Sequence, residues 1–196
     1  ETTGTRPTGW SWTGDIPNGL SIDPSTGVIS GTPTIPGAYQ VTLKAGTAEK
    51  ACTVIVRSPA ADKIAEDSGS LTIGDKVTGL KSDLSGTDWS WSSEAGVLTL
   101  DSSYTGGKID FYSNNATPLC IRMKGDVTVE GTIKCGNSSA GLYLYGSGSL
   151  TVTSPAEENN GIYLGPDSTL YDRRTAGDLT VTNSYTGTSK SHAVYG

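Results

Sequence analysis

From Leu119 onward, apolar and polar positions alternate in short runs, and the runs recur as a two-part phrase. Leu119-Cys120-Ile121-Arg122 is followed by Asp126-Val127-Thr128-Val129, and Gly141-Leu142-Tyr143-Leu144-Tyr145 by Ser149-Leu150-Thr151-Val152-Thr153. Gly161-Ile162-Tyr163-Leu164 is followed, after an insertion, by Asp178-Leu179-Thr180-Val181-Thr182, and His192-Ala193-Val194-Tyr195 opens a fourth copy. Strict alternation over four to eight residues marks half-buried strands. A unit of roughly 20–23 residues with two or three short strands predicts a parallel β-helix, whose coils stack about 4.8 Å apart and bury one another's apolar side chains. The third copy carries about nine extra residues, between Gly165 and Gly177, beyond that period.

Alternation also predicts faces. Leu119, Ile121, Leu142, Leu144, Ile162, Leu164 and Val194 point inward on one sheet; Val127, Val129, Leu150, Val152, Leu179 and Val181 point inward on a second. Ile133 and Cys135 suggest a third short strand. Thr128, Thr151, Thr153, Thr180 and Thr182 form an outward polar ladder. Cys120, Tyr143, Tyr163 and Tyr195 face outward on the first sheet, flanked by Arg122 and Tyr145, so the three tyrosines are expected in one strip.

The first 57 residues read differently. Trp10-Ser11-Trp12 alternates as a strand. Leu20 and Ile22 are joined to Val28 and Ile29 through Asp23-Pro24-Ser25-Thr26-Gly27. Pro fixes φ at the second turn position, Asp accepts backbone hydrogen bonds and Gly takes a positive φ, so this is a hairpin turn. Tyr39, Val41 and Leu43 alternate on the next strand, and Cys52–Val56 is a further hairpin arm. Ser58-Pro59-Ala60-Ala61-Asp62 reads as a linker. The expected organisation is thus an N-terminal sandwich at 1–57, a linker at 58–64 and the repeat at 65–196. Trp89-Ser90-Trp91 precedes the repeat and is expected to cover its open end; the other reading is a sugar-stacking pair.

Composition narrows the class. Twenty-six glycines and nine prolines among 196 residues, with Thr, Val, Tyr and Ile in short runs, describe an all-β chain. A net charge of −6 argues against nucleic acid, which needs a basic face. No run approaches the roughly 18 apolar residues of a membrane span. The three cysteines, Cys52, Cys120 and Cys135, lack metal-ligand spacing, and Cys120 and Cys135 either pair or remain free thiols. The first residue is Glu, so the chain is read as a piece of a longer protein.

Leu20-Ser21-Ile22-Asp23-Pro24-Ser25-Thr26-Gly27-Val28-Ile29-Ser30-Gly31-Thr32-Pro33, with Gly37–Leu43 behind it, resembles the bacterial Ig-like (cadherin-like) module found in tandem on secreted and surface proteins. That module usually has one more strand ahead of the Trp strand. The resemblance implies a spacer or adhesion domain outside the cell, without catalysis. Some relatives bind calcium, but Asp15 and Asp23 are no ligand series, so no metal is expected. Trp89-Ser90-Trp91, Val97–Leu100 and Tyr104-Thr105-Gly106-Gly107-Lys108-Ile109 are similar to the start of repeat regions in surface proteins of gut Gram-positive bacteria, which are labelled carbohydrate-binding. The implied fold is all-β: an Ig-like β-sandwich followed by a right-handed parallel β-helix.

Candidate chemistry follows from the two departures from regularity. Flat aromatics with a polar tip suit sugar faces, so Tyr143, Tyr163 and Tyr195 form a candidate carbohydrate surface, with Tyr171, Asp172 and Arg173 of the insertion beside them; simple cross-strand packing is the competing reading. Glycan-cleaving β-helices need clustered carboxylates. Asp167, Asp172, Glu157 and Glu158, with Arg173 and Arg174, are the local candidates, but Arg173-Arg174 beside Asp172 reads better as a solvated, self-paired loop. His192 has no evident nucleophile partner. The expectation is a non-catalytic, extracellular adhesion or glycan-binding module, without cofactor, metal, nucleic acid or membrane insertion, and monomeric as a fragment. A structural stalk and a degenerate polysaccharide-degrading β-helix are the alternatives.

Overall fold

In the computed structural model, which describes residues 7–137, 141–155, 160–166, 168–184 and 192–195, the chain divides into two bodies, residues 1–56 and 57–196. The first body contains β1 (Trp10–Gly14), β2 (Leu20–Ile22), β3 (Ile29–Gly31), β4 (Gly37–Ala45) and β5 (Ala48–Val56). An antiparallel sheet runs in the order β1-β4-β5, and β2 and β3 form a separate hairpin. The turn between β2 and β3 forms as its residue types require: Asp23 Oδ1 accepts the N–H groups of Ser25 and Thr26 at 2.8 and 2.9 Å, and the Gly27 N–H donates to the Asp23 carbonyl at 2.8 Å. The Thr26 and Ser25 backbone bonds hold the Asp23 carboxyl below its usual value. Asp23 is thus a turn residue. Tyr39 and Val41 are buried, and the Tyr39 hydroxyl donates to the Ile35 carbonyl at 2.6 Å.

The second body begins earlier than the linker reading placed it. Among the described residues the only helix is one turn, α1 (Ala61–Ile64). The Ser58 N–H donates to the Ala95 carbonyl, and its hydroxyl to the Gly96 carbonyl at 2.8 Å. Ser58, Ala60, Ala61 and Ile64 are all buried. Residues 58–64 therefore pack onto this body rather than spanning solvent.

Four antiparallel strands come next: β6 (Ser70–Ile73), β7 (Lys76–Gly79), β8 (Leu84–Ser85) and β9 (Trp89–Ser92). Then the chain visits three sheets in rotation: β10 (Val97–Leu100), β11 (Thr105–Gly106), β12 (Ile109–Ser113); β13 (Leu119–Lys124), β14 (Val127–Val129), β15 (Ile133–Asn137); β16 (Gly141–Ser147), β17 (Leu150–Ser154), β18 (Asn160–Leu164); β19 (Thr169–Asp172), β20 (Leu179–Asn183), β21 (His192–Tyr195). Each of the first nine of these strands pairs in parallel with the third strand after it, giving sheets β10-β13-β16-β19, β11-β14-β17-β20 and β12-β15-β18-β21. β8 and β9 extend the first sheet and β7 and β6 the third, both antiparallel; the second begins at β11.

This rotation corrects the expected register. Ile162 does align with Val194, but both lie on the third sheet, beyond Ile109 and Ile133. The first sheet continues from Leu142 to Leu170, in the strand the insertion carries. The inward and outward faces nevertheless hold for the described side chains; those of Val194 and Tyr195 lie outside them. Leu119, Ile121, Leu142, Leu144, Val127, Val129, Leu150, Val152, Ile162 and Leu164 are buried; Leu179 and Val181, on the last turn, are half-buried. Each full burial of a Leu, Ile or Val stabilises by about 1.5–3 kcal/mol. The threonine ladder also stands, with Thr105, Thr128, Thr151 and Thr180 in one column and Thr153 beside Thr182 in the next.

The corner between the first and second sheets is a column of glycines. A Cβ on Gly148 would lie 2.2 Å from the Gly125 carbonyl carbon, and one on Gly177 2.1 Å from that of Gly148. Gly148 and Gly177 have φ of +98° and +97°, a region closed to most side chains. Trp91 is buried at the start of the array, with its indole N–H donating to the Leu80 carbonyl at 3.1 Å; Trp89 is half-buried. The three cysteines are free thiols, with Cys120 and Cys135 buried.

Candidate functional site

The outer face of the first sheet is where the expected aromatic surface has to be built. Alternation along β16 sends Leu142 and Leu144 inward and Tyr143 and Tyr145 outward. Parallel pairing places Tyr143 between Cys120 and Tyr171, and Tyr145 beside Arg122. The Tyr143 and Tyr171 rings stack, with centroids 4.3 Å apart and planes inclined by 18°; Tyr143 and Tyr145 are 6.2 Å apart and inclined by 12°. Such pairs contribute about 0.5–1.5 kcal/mol beyond their burial.

Much of this face is covered. Cys120, Arg122 and Tyr145 are buried, although their positions point away from the interior. Burial raises the Cys120 thiol to about 11, against hydrogen bonds from Ser58 and Ala60, which place residues 58–60 over this column. Burial likewise raises Tyr145 to about 12, and Tyr143 is raised first by burial and then by Tyr171; exposed Arg173 lies close enough to pull both hydroxyls the other way. What remains open is the half-buried Tyr143–Tyr171 stack, with Arg173 beside it.

The insertion is a clamp. Arg174 Nε donates to Asp172 Oδ1 at 2.8 Å and a second guanidinium nitrogen pairs with Oδ2, while the third donates to the carbonyls of Asp178 at 2.9 Å and Gly148 at 3.1 Å. The Arg174 side chain is 4% exposed, so the pair is not the solvated loop expected of it. The hydrogen bond from Arg174 outweighs partial burial and holds the Asp172 carboxyl below its usual value. A carboxylate held this way is suited to fixing the strand β19 rather than to donating a proton.

The six expected site residues therefore separate. Tyr143, Tyr171 and Arg173 come together, and Asp172 is beside them but bound to Arg174. Tyr163 lies on the third sheet in a column with Asp110, Lys134 and Tyr195, so the single strip of Tyr143, Tyr163 and Tyr195 does not form. The Tyr195 and His192 side chains, and Asp167, Glu157 and Glu158, lie outside the described residues. Trp91 is too buried to stack on a sugar; Trp89 is not. Exposed Tyr112, on the third sheet, escaped the sequence reading because the strand 109–113 precedes the recognisable repeats.

Among the described residues no group of three or more His, Cys, Asp or Glu side chains could hold a metal ion, and no helix is long and apolar enough to cross a membrane. Residues 1–57 match the family described as "Putative Ig domain", so this segment is similar to an Ig-like module. No curated protein and no solved structure matches the chain.

Proposed function

We propose that the chain is a non-catalytic, extracellular adhesion module that binds glycans through a right-handed parallel β-helix spanning about residues 65–196. The Ig-like module at 1–57 supports a surface location, since such modules act as spacers. The rotation of the chain through three parallel sheets supports the β-helix, and right-handed crossovers are the rule for parallel strands.

The observation that carries glycan binding is the half-buried Tyr143–Tyr171 stack with Arg173 beside it. The stack offers ring edges, two hydroxyls and one outer ring face, and Arg173 adds hydrogen-bond donors for sugar hydroxyls. Catalysis is not favoured: the acid closest to this surface, Asp172, is tied to Arg174 and kept ionised. A stalk without a ligand is the second reading, supported by the way each tyrosine packs on its neighbour.

A glycan array probed with the full chain separates the two. The expected result is binding to a defined glycan subset, weakened at least about tenfold by Tyr143→Ala combined with Tyr171→Ala, as loss of an aromatic contact surface should do. No binding by the unaltered chain leaves the stalk, and binding indifferent to both substitutions overturns the tyrosine surface.

A further inference from the structure

The first and third sheets are each prolonged at the start of the array by two antiparallel strands, whereas the second sheet begins at Thr105 with nothing before it. This mismatch opens a notch of about 310 Å³ between the turn Gly74–Lys76, the turn Gly86–Trp89 and the strand end Tyr104–Gly107. We propose that the notch binds a single neutral sugar residue.

Three features lead there. The half-buried Trp89 ring borders the notch, and Gly86 lies against its five-membered ring: a Cβ on Gly86 would be 2.3 Å from Nε1. The backbone thus holds the indole in place from one side. Its N–H, like that of Trp12, has no hydrogen-bond partner among the described residues, while those of Trp10 and Trp91 donate to carbonyls. A buried Trp N–H normally finds a partner; that of half-buried Trp89 is open to donate to a ligand. Next, Asp75 and Asp88 bring carboxylates and Lys76 an ammonium to the same opening, with exposed Lys76 and Asp75 paired at 3.6 Å. Asp88 accepts one hydrogen bond, from Ser103 at 3.0 Å, and has acceptor capacity left. Finally, the volume sits at the lower end of the roughly 300–1,000 Å³ typical of small-molecule sites, which suits one ring and not an extended chain.

The ligand class follows from this lining. An apolar C–H face would lie on the indole, hydroxyls would donate to the two carboxylates, and one sugar oxygen would accept from the Trp89 N–H. Two carboxylates against one ammonium disfavour an anionic sugar. The notch shares its ligand class with the tyrosine surface but none of its residues, so the two readings fail separately.

The test is to follow the Trp89 indole N–H signal by NMR, assigned through Trp89→Phe, while the full chain is titrated with galactose, N-acetylglucosamine or N-acetylneuraminic acid. The signal should move with at least one neutral sugar, and the anionic sugar should bind at least about tenfold more weakly. Asp88→Ala and Asp75→Ala should each weaken the response about tenfold, the loss expected for one hydrogen bond to a charged group. Asp75 is well exposed, so its removal leaves folding untouched. Tyr143→Ala with Tyr171→Ala should leave the response intact. A silent Trp89 signal with both neutral sugars, an equal response to the anionic sugar, or loss of the response in the tyrosine variant overturns the assignment.

Discussion

Asp67 is a carboxylate with no exposed surface, and its surroundings explain why it can be charged there. Its Oδ1 accepts the Gly69 and Asn114 N–H groups at 2.8 and 3.2 Å; its Oδ2 accepts the Ser113 hydroxyl at 2.7 Å and the Thr117 hydroxyl. Burial raises the carboxyl, but the bonds from Thr117, Ser113, Gly69 and Asn114 together outweigh it, and its pKa falls below 3.8. Because the folded value is the lower one, Asp67 stabilises the fold above the ordinary carboxyl range, and that contribution drains away as pH falls through the folded value. Urea midpoints of the unaltered chain should therefore drop between about pH 4 and pH 2 more steeply than those of Asp67→Asn. Asp67→Ala should cost about 3 kcal/mol at neutral pH, since it strands buried donors. Equal slopes for the two chains would remove the charge from this account.

At the scale of elements, Arg174 joins three places: Asp172 at the end of β19, Asp178 just before β20, and Gly148 on the turn below. Lysine cannot reproduce a planar fork, so Arg174→Lys should cost about 2–3 kcal/mol. Hydrogen exchange checks its reach: amides of Thr169–Asp172 and Leu179–Asn183 should lose protection before those of Leu119–Lys124, and a uniform loss would contradict a local clamp. The same strand shows what the amino-acid pattern could reveal. Alternation tells inside from outside, and it did so for nearly every strand, because burial acts identically on all three sheets. For that very reason it does not tell one sheet from another. Gly161-Ile162-Tyr163-Leu164 reads like Gly141-Leu142-Tyr143-Leu144 because both put apolar residues inward and tyrosine outward, yet they sit on different sheets. The true partner of Tyr143 is Tyr171, in a four-residue strand hidden inside the insertion. Two of the three tyrosines of the expected strip, Tyr163 and Tyr195, consequently lie on another sheet, while Arg173 and Tyr171 lie beside Tyr143. The cleft at Trp89 was out of reach for another reason: it depends on which sheets are prolonged, a property of pairing and not of any run of residues.

For the whole molecule, the division after Val56 assigns Ser58–Ile64 to the second body, where Ser58 and Ala60 cover Cys120. A chain starting at Arg57 should therefore keep Cys120 and Cys135 unreactive toward a thiol reagent, and one starting at Glu66 should expose Cys120 and label it at least about tenfold faster, as an unshielded thiol would be. Equal labelling would return residues 58–64 to the role of a linker. The rotation through three sheets has a mechanical consequence as well. Side chains stacked on adjacent strands are about 4.8 Å apart in space yet 23 or 24 residues apart along the backbone in the first pairs, and 28 to 32 in the later ones. A pull on either end of this array loads the hydrogen bonds of one strand at a time, like opening a zip, instead of shearing a whole sheet at once. Each turn so released would yield about 75 Å of slack, so stretching the full chain in an optical trap should give extension in increments of about that length, and a single all-or-none rip would contradict it.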